Sequence, residues 1–115
     1  MDIATLRAFC LSFPGAKEDV KWGNDLTFMV GEKVFCFTGF KNPPGVSIKV
    51  PEEEFAELTA TPGITPAPYL ARYKWVAIEN VNTIPRKELE RLLRQSYELV
   101  KAKLPKGVLK RHGLA

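Results

Sequence analysis

The feature that most constrains this chain is a succession of short apolar runs of period two between residues 26 and 50, each bounded by turn residues. Leu26, Phe28 and Val30 alternate with Thr27 and Met29. Gly31-Glu32 then leads into K-V-F-C-F-T, and Asn42-Pro43-Pro44-Gly45 into V-S-I-K-V. Strand side chains point alternately to the two faces, so these runs read as half-buried strands, and connections this short join antiparallel neighbours. An earlier strand from about Asp19, turning at Gly23-Asn24-Asp25, completes a four-stranded antiparallel meander. Parity then sorts the faces. If Leu26, Phe28, Val30, Val46, Ile48 and Val50 face the helices, the opposite face shows Lys21, Thr27, Met29, Ser47 and Lys49. That face is either simply solvated or a mixed polar, basic and apolar contact surface.

Helices flank the meander. Ile3, Leu6, Phe9, Cys10 and Phe13 recur at helical spacing behind a capping Asp2, and Pro14-Gly15 closes that helix. Pro51 opens a second, with Glu52, Glu53 and Glu54 in the first turn where the helix dipole favours anions, and Thr61-Pro62 stops it. The longest spans about residues 85–104, with Leu89, Leu92, Leu93, Ser96, Val100 and Leu104 on one stripe, and Pro105 ends it. Between the last two helices lies P-G-I-T-P-A-P-Y-L-A-R-Y-K-W-V, residues 62–76. Pro62, Pro66 and Pro68 make its first half an ordered, non-repetitive turn, neither helix nor central strand, feeding a strand over residues 75–79. The order α-β-β-β-β-α-β-α predicts an α+β fold. An antiparallel sheet of about five strands carries the first and last helices on one face. Residues 1–105 form one domain and 106–115 a short basic tail.

The 115 residues, 45% of them hydrophobic, suffice for one self-folding core. Cys10 and Cys36 lack metal-ligand spacing and read as reduced, buried small hydrophobes. With no signal-like or spanning apolar run, the expectation is a cytoplasmic monomer that does not engage a membrane. The net charge is +4, and it is unevenly spread. From Arg86 onward nine Lys/Arg stand against three Glu, whereas residues 1–85 hold eight basic and ten acidic side chains. The linear pattern therefore puts the basic excess on the last helix and tail.

The motif inventory points away from catalysis. The only histidine, His112, lies three residues from the end, and no Ser/His/Asp, Cys/His, phosphate-loop or dinucleotide-binding pattern occurs. What remains is cations interleaved with aromatics, the chemistry of phosphate contact and base stacking. Lys21, Lys33, Lys41, Lys49, Arg72, Tyr73 and Lys74 are the candidate nucleic-acid contacts, with Lys101, Lys103, Lys106, Lys110 and Arg111 as added grip. The alternative is a small-ligand or protein-interaction module at the proline-rich loop. Trp22, Asn24, Tyr69, Arg72 and Trp75 would line its pocket, with Arg72 as anion anchor. In a third reading the loop aromatics only plug the core.

Several stretches, taken together, resemble the MmcQ/YjbR family: F-P-G-A-K-E-D-V-K-W-G-N (residues 13–24), F-M-V-G-E-K-V-F-C-F (28–37), V-S-I-K-V, the proline-rich segment and the closing L-x-x-L-L-R-Q-S-Y. The resemblance spans essentially the whole chain. It implies a frataxin-like, CyaY-like α+β fold. It also implies DNA binding of "double wing" type, with β-hairpins at the duplex and no known enzymatic activity. The hairpins here depart from that picture in charge, since Lys33, Lys41 and Lys49 are offset by Asp25 and Glu32. The frataxin-like fold also suggests iron handling. That would need a dense carboxylate ridge, and Asp2, Glu18 and Asp19 do not supply one. The expectation is a weak, largely sequence-tolerant DNA binder without cofactor or metal.

Overall fold

The computed structural model describes residues 1–114. Helix α1 (Ile3–Leu11) starts at Asp2, whose carboxylate accepts the Thr5 N–H at 2.8 Å. Strands β1 (Lys17–Lys21), β2 (Asp25–Val30), β3 (Lys33–Thr38) and β4 (Val46–Lys49) form the expected meander. Helix α2 (Glu52–Thr59), β5 (Ile64–Pro66), a 3-10 turn (Ala71–Tyr73), β6 (Trp75–Ile78), α3 (Arg86–Ala102) and α4 (Lys106–Arg111) follow. The fold is α+β, with a fully antiparallel sheet in the order β1-β2-β3-β4-β6-β5.

Six strands stand where about five were expected. The extra one, β5, comes from the proline-rich segment, pairing Ile64 with Ile78 and Pro66 with Val76. It is an edge strand, and at an edge Pro66 removes no interior ladder bond. The basic tail carries the short helix α4. Gly31 and Glu32 form the two-residue β2–β3 turn, both left-handed (φ 54° and 71°). A Cβ on Gly31 would lie 2.5 Å from a Leu104 methyl and 3.1 Å from Val108, so this hairpin and the C-terminal segment close on each other.

The core lies between one sheet face and helices α1 and α3. Leu6 and Cys10 from α1, Phe28, Cys36, Ile48 and Val76 from the sheet, and Leu89, Leu92 and Leu93 from α3 are fully buried. Each such aliphatic or aromatic side chain contributes about 1.5–3 kcal/mol. Both cysteines are free, and burial, then the neighbouring Cys10, pushes the Cys36 thiol well up. A β-bulge interrupts β2–β3: Phe28 pairs with Cys36 but Met29 with Val34, leaving Phe35 as the extra residue. Phe35 and Cys36 are consequently both buried, and the Phe35 ring packs at 5.4 Å against Tyr97. Ser96, the one hydroxyl on the α3 stripe, explains itself here. It donates to the Phe35 carbonyl at 2.6 Å and accepts the Lys49 N–H at 3.0 Å.

Pairing registers lay one row across the outer face: Asp19, Thr27, Phe37, Ser47, Ala77 and Thr65. The parity argument holds for Ser47 and Lys49, which are half-buried, but Thr27 is fully buried and donates to the Asp19 carbonyl at 3.0 Å.

Candidate nucleic-acid interface

The two ends of this outer face differ in charge. At one end β4 stops at Lys49 and β6 begins opposite it at Trp75. Lys33 at the start of β3, Tyr73, and Lys103 just past α3 close around that pair, enclosing about 420 Å³. A second concavity of about 470 Å³ adjoins it, lined by Glu52, Arg72 and Lys74 and sharing Lys49, Tyr73 and Lys103. The two form one groove running across the strand ends.

Five cations, Lys33, Lys49, Arg72, Lys74 and Lys103, line the groove against one carboxylate, Glu52. That local excess equals the +4 of the whole chain. Among the described residues none of the five forms a salt bridge. Lys49, Arg72 and Lys74 contact a carbonyl, a hydroxyl or rings instead. Lys49 Nζ donates to the Tyr73 carbonyl at 2.6 Å. Burial, and secondarily the positive charge of Lys103, lowers the Lys49 pKa below the usual lysine value. The Arg72 guanidinium sits 4.8 Å over the Tyr73 ring and donates to its hydroxyl at 2.7 Å. Lys74 lies 5.0 Å over Phe55 and holds a left-handed backbone (φ 64°).

At the other end, beyond Ser47, lies a pocket of about 490 Å³. Its floor is Phe37, Ser47 and Ala77, and its ionisable rim is Asp25, Glu79 and Lys41. An aromatic line joins the two ends. Trp22 meets Phe37 edge-on at 5.3 Å, and Phe37 lies 5.6 Å from Trp75.

The groove thus brings together Lys33, Lys49, Arg72, Tyr73 and Lys74 from the sequence-derived set. Lys21 and Lys41 lie outside it: Lys21 is 3.5 Å from Asp19 on its own strand, and Lys41 borders the opposite pocket. The set proposed for a loop pocket does not converge. Tyr69 is 98% exposed, while Trp22 and Asn24 occupy the β1–β2 turn, at the end of the sheet away from Trp75. Arg72 partners Tyr73 and neither Asp19 nor Glu79. One grouping and one residue escaped the sequence. Lys103 counts there among the C-terminal cations as added grip, and the approach of the α3 C-terminus to β4 brings it beside Lys49 instead. Phe37 shares a face with Ser47 by the same parity count, but the bulge at Phe35 disguises it.

Comparison with known proteins bears on the family and the fold. The family model described as YjbR matches residues 11–99. The crystal structure of Deinococcus radiodurans protein DR2400, a DUF419-domain protein, is similar with a TM-score of 0.86 and 31% identity, covering 99% of this chain and 89% of that one. A crystal structure of a protein from Pseudomonas syringae shares the fold, with a TM-score of 0.71 and 21% identity over 86% of this chain and 98% of that one. No curated protein matches. Among the described residues no helix is long and apolar enough to cross a membrane.

Proposed function

This chain belongs to the YjbR family, and on that premise we propose that it binds DNA weakly and with little regard to sequence, through the basic groove at the Lys49–Trp75 end of its sheet. The observation that carries this reading is the gathering of five cations, none of them salt-bridged among the described residues, around one groove. Phosphate contact through such side chains need not first break an internal salt bridge, and it releases condensed counterions from the nucleic acid. A phosphate beside Lys49 would also offset the burial and the Lys103 charge that disfavour its ammonium form. Sequence tolerance follows from the donors, because a lysine ammonium is a point charge that positions a backbone without reading base edges. Of the two outer hairpins only the Gly31-Glu32 hairpin, with Lys33 behind it, borders the groove. One wing at most would engage in this way.

The test is a fluorescence-anisotropy titration of labelled DNA at two salt concentrations, repeated with Lys49→Ala, Arg72→Ala and a Lys106/Lys110/Arg111→Gln variant. The reading expects salt-sensitive binding, weakened about three- to tenfold by each groove substitution and little by the α4 variant. Loss of binding only in the α4 variant, or indifference to salt, would contradict it.

A further inference from the structure

Resting on that reading, we infer that the nucleic acid taken by this face is single-stranded, with its phosphates along the basic groove and its bases laid over Phe37 and Trp22 toward the Asp25/Glu79 pocket. The charge layout sets this orientation. The cations follow the sheet's end from the β2–β3 hairpin across Lys49 to Arg72 and Lys74, perpendicular to the strands. Asp25 and Glu79 outnumber Lys41 on the rim of the opposite end, and among the described residues none of the three forms a salt bridge. A polyanion is attracted at one end and repelled at the other, so its backbone lies along the groove and not lengthwise down the face. The part of a nucleic acid that reaches the second end must not be its phosphates, and groups rich in N–H donors suit the carboxylates there. Nucleobases fit: carboxylates accept from exocyclic amino groups such as the cytosine N4.

The spacing agrees. Ser47 floors the pocket and Lys49 lines the groove, two residues apart on the same face of β4, which is about 7 Å. That is comparable to the reach from a nucleobase to its own phosphate. Phe37 lies beside Ser47 on this face, backed by the buried Trp75 and flanked edge-on by the exposed Trp22, and exposed rings of this kind stack unpaired bases whatever their identity. Trp22 is 63% exposed although it holds a left-handed backbone (φ 54°) that a bulky residue rarely adopts. Nothing in the core requires tryptophan there. A duplex cannot use these features, because its bases are stacked inside and its second strand would bring phosphates against Asp25 and Glu79.

The experiment titrates the full chain with a labelled single strand and with the same strand annealed to its complement, at equal low salt. Wild type, Trp22→Asn, Asp25→Asn/Glu79→Gln and Lys49→Ala are compared. Asparagine tolerates the left-handed conformation, so Trp22→Asn removes the ring without straining the turn. The inference expects the single strand to bind at least about tenfold tighter than the duplex. Trp22→Asn should weaken the single strand about tenfold and leave the duplex unchanged. Wild type should also favour an oligo-dC over an oligo-dT, which lacks the exocyclic amino group, and Asp25→Asn/Glu79→Gln should erase that preference. Equal or tighter duplex binding, with Trp22→Asn silent and Lys49→Ala still harmful, overturns the single-strand inference while leaving the groove reading standing. No binding of either form at low salt overturns both.

Discussion

The two ends of the outer sheet face use the same strands and much the same residue types, yet one holds five cations against one carboxylate and the other two carboxylates against one lysine. The difference arises from register and from what packs behind each end. At the basic end β4 and β6 meet at Lys49 and Trp75, and the C-terminus of α3 delivers Lys103 beside them. At the other end β4 and β6 meet at Val46 and Ile78, and the rim comes from Asp25 at the start of β2 and from the loops carrying Lys41 and Glu79. Local charge here is a property of the fold. Four of the five groove cations come from residues 1–85, the part of the chain with more acidic than basic side chains.

Charge reversal should separate the ends most sharply. Lys49→Glu is expected to weaken DNA binding about thirtyfold or more, whereas Lys41→Glu should change it less than about threefold, both read by anisotropy at low salt. Equal losses would dissolve the distinction between the ends.

Next in size is a change that attacks the basic end from behind. Ser96→Ala leaves the Phe35 carbonyl and the Lys49 N–H without their buried partner. At about 1–3 kcal/mol per unsatisfied group, and with the Lys49 bond only partly buried, the variant should lose roughly 2–4 kcal/mol of stability. For a domain of this size that lowers the melting temperature by roughly 10–20 °C in a calorimetric scan. A wild-type melting temperature would mean that Ser96 does not tie α3 to the end of β4.

A pH titration gives a subtler contrast. Because burial lowers the Lys49 pKa below the usual 10.5, the unfolded chain binds more protons than the folded one between the lowered value and 10.5. The stability penalty of the buried ammonium is therefore present below the folded pKa and is relieved as pH rises through it. DNA affinity should move the opposite way, falling over the same rise in pH, and Lys49→Ala should lessen both trends. Parallel trends would contradict this account of Lys49.

The smallest expected effect is at Lys74. Its left-handed backbone suits glycine, so Lys74→Gly should add about 1 kcal/mol of stability in denaturant titrations while weakening DNA binding about two- to fivefold. Simultaneous gains in stability and affinity would remove Lys74 from the groove.

Much of the fold was legible in the sequence because alternation and turn chemistry are local. The runs at 26–30 and 46–50 announced both the meander and its outer face, and Ser47 and Lys49 lie where parity put them. β5 was not legible: three residues are too few to show alternation, and Pro66 argues against a strand except at an edge. Phe37 was hidden by a one-residue bulge, which moves Phe35 and Cys36 to the same side. The site was legible in residue type and only partly in grouping. Lys33, Lys49, Arg72, Tyr73 and Lys74 do meet, but Lys21 prefers Asp19, and Trp22 and Asn24 are carried to the far end by β1. Which cations meet is decided by long-range strand pairing and helix docking, and neither leaves a mark at the spacing of neighbouring residues.

The most direct test of the central claim is the slope of log K against log salt concentration for wild type, Lys49→Ala and Lys41→Ala. At roughly 0.9 per phosphate contact on duplex, or 0.7 on a single strand, full engagement of the groove predicts a slope of about −3.5 to −4.5. The account predicts that Lys49→Ala makes the slope shallower by nearly one contact and that Lys41→Ala leaves it unchanged. A slope near zero, or an equal change from both substitutions, would contradict it.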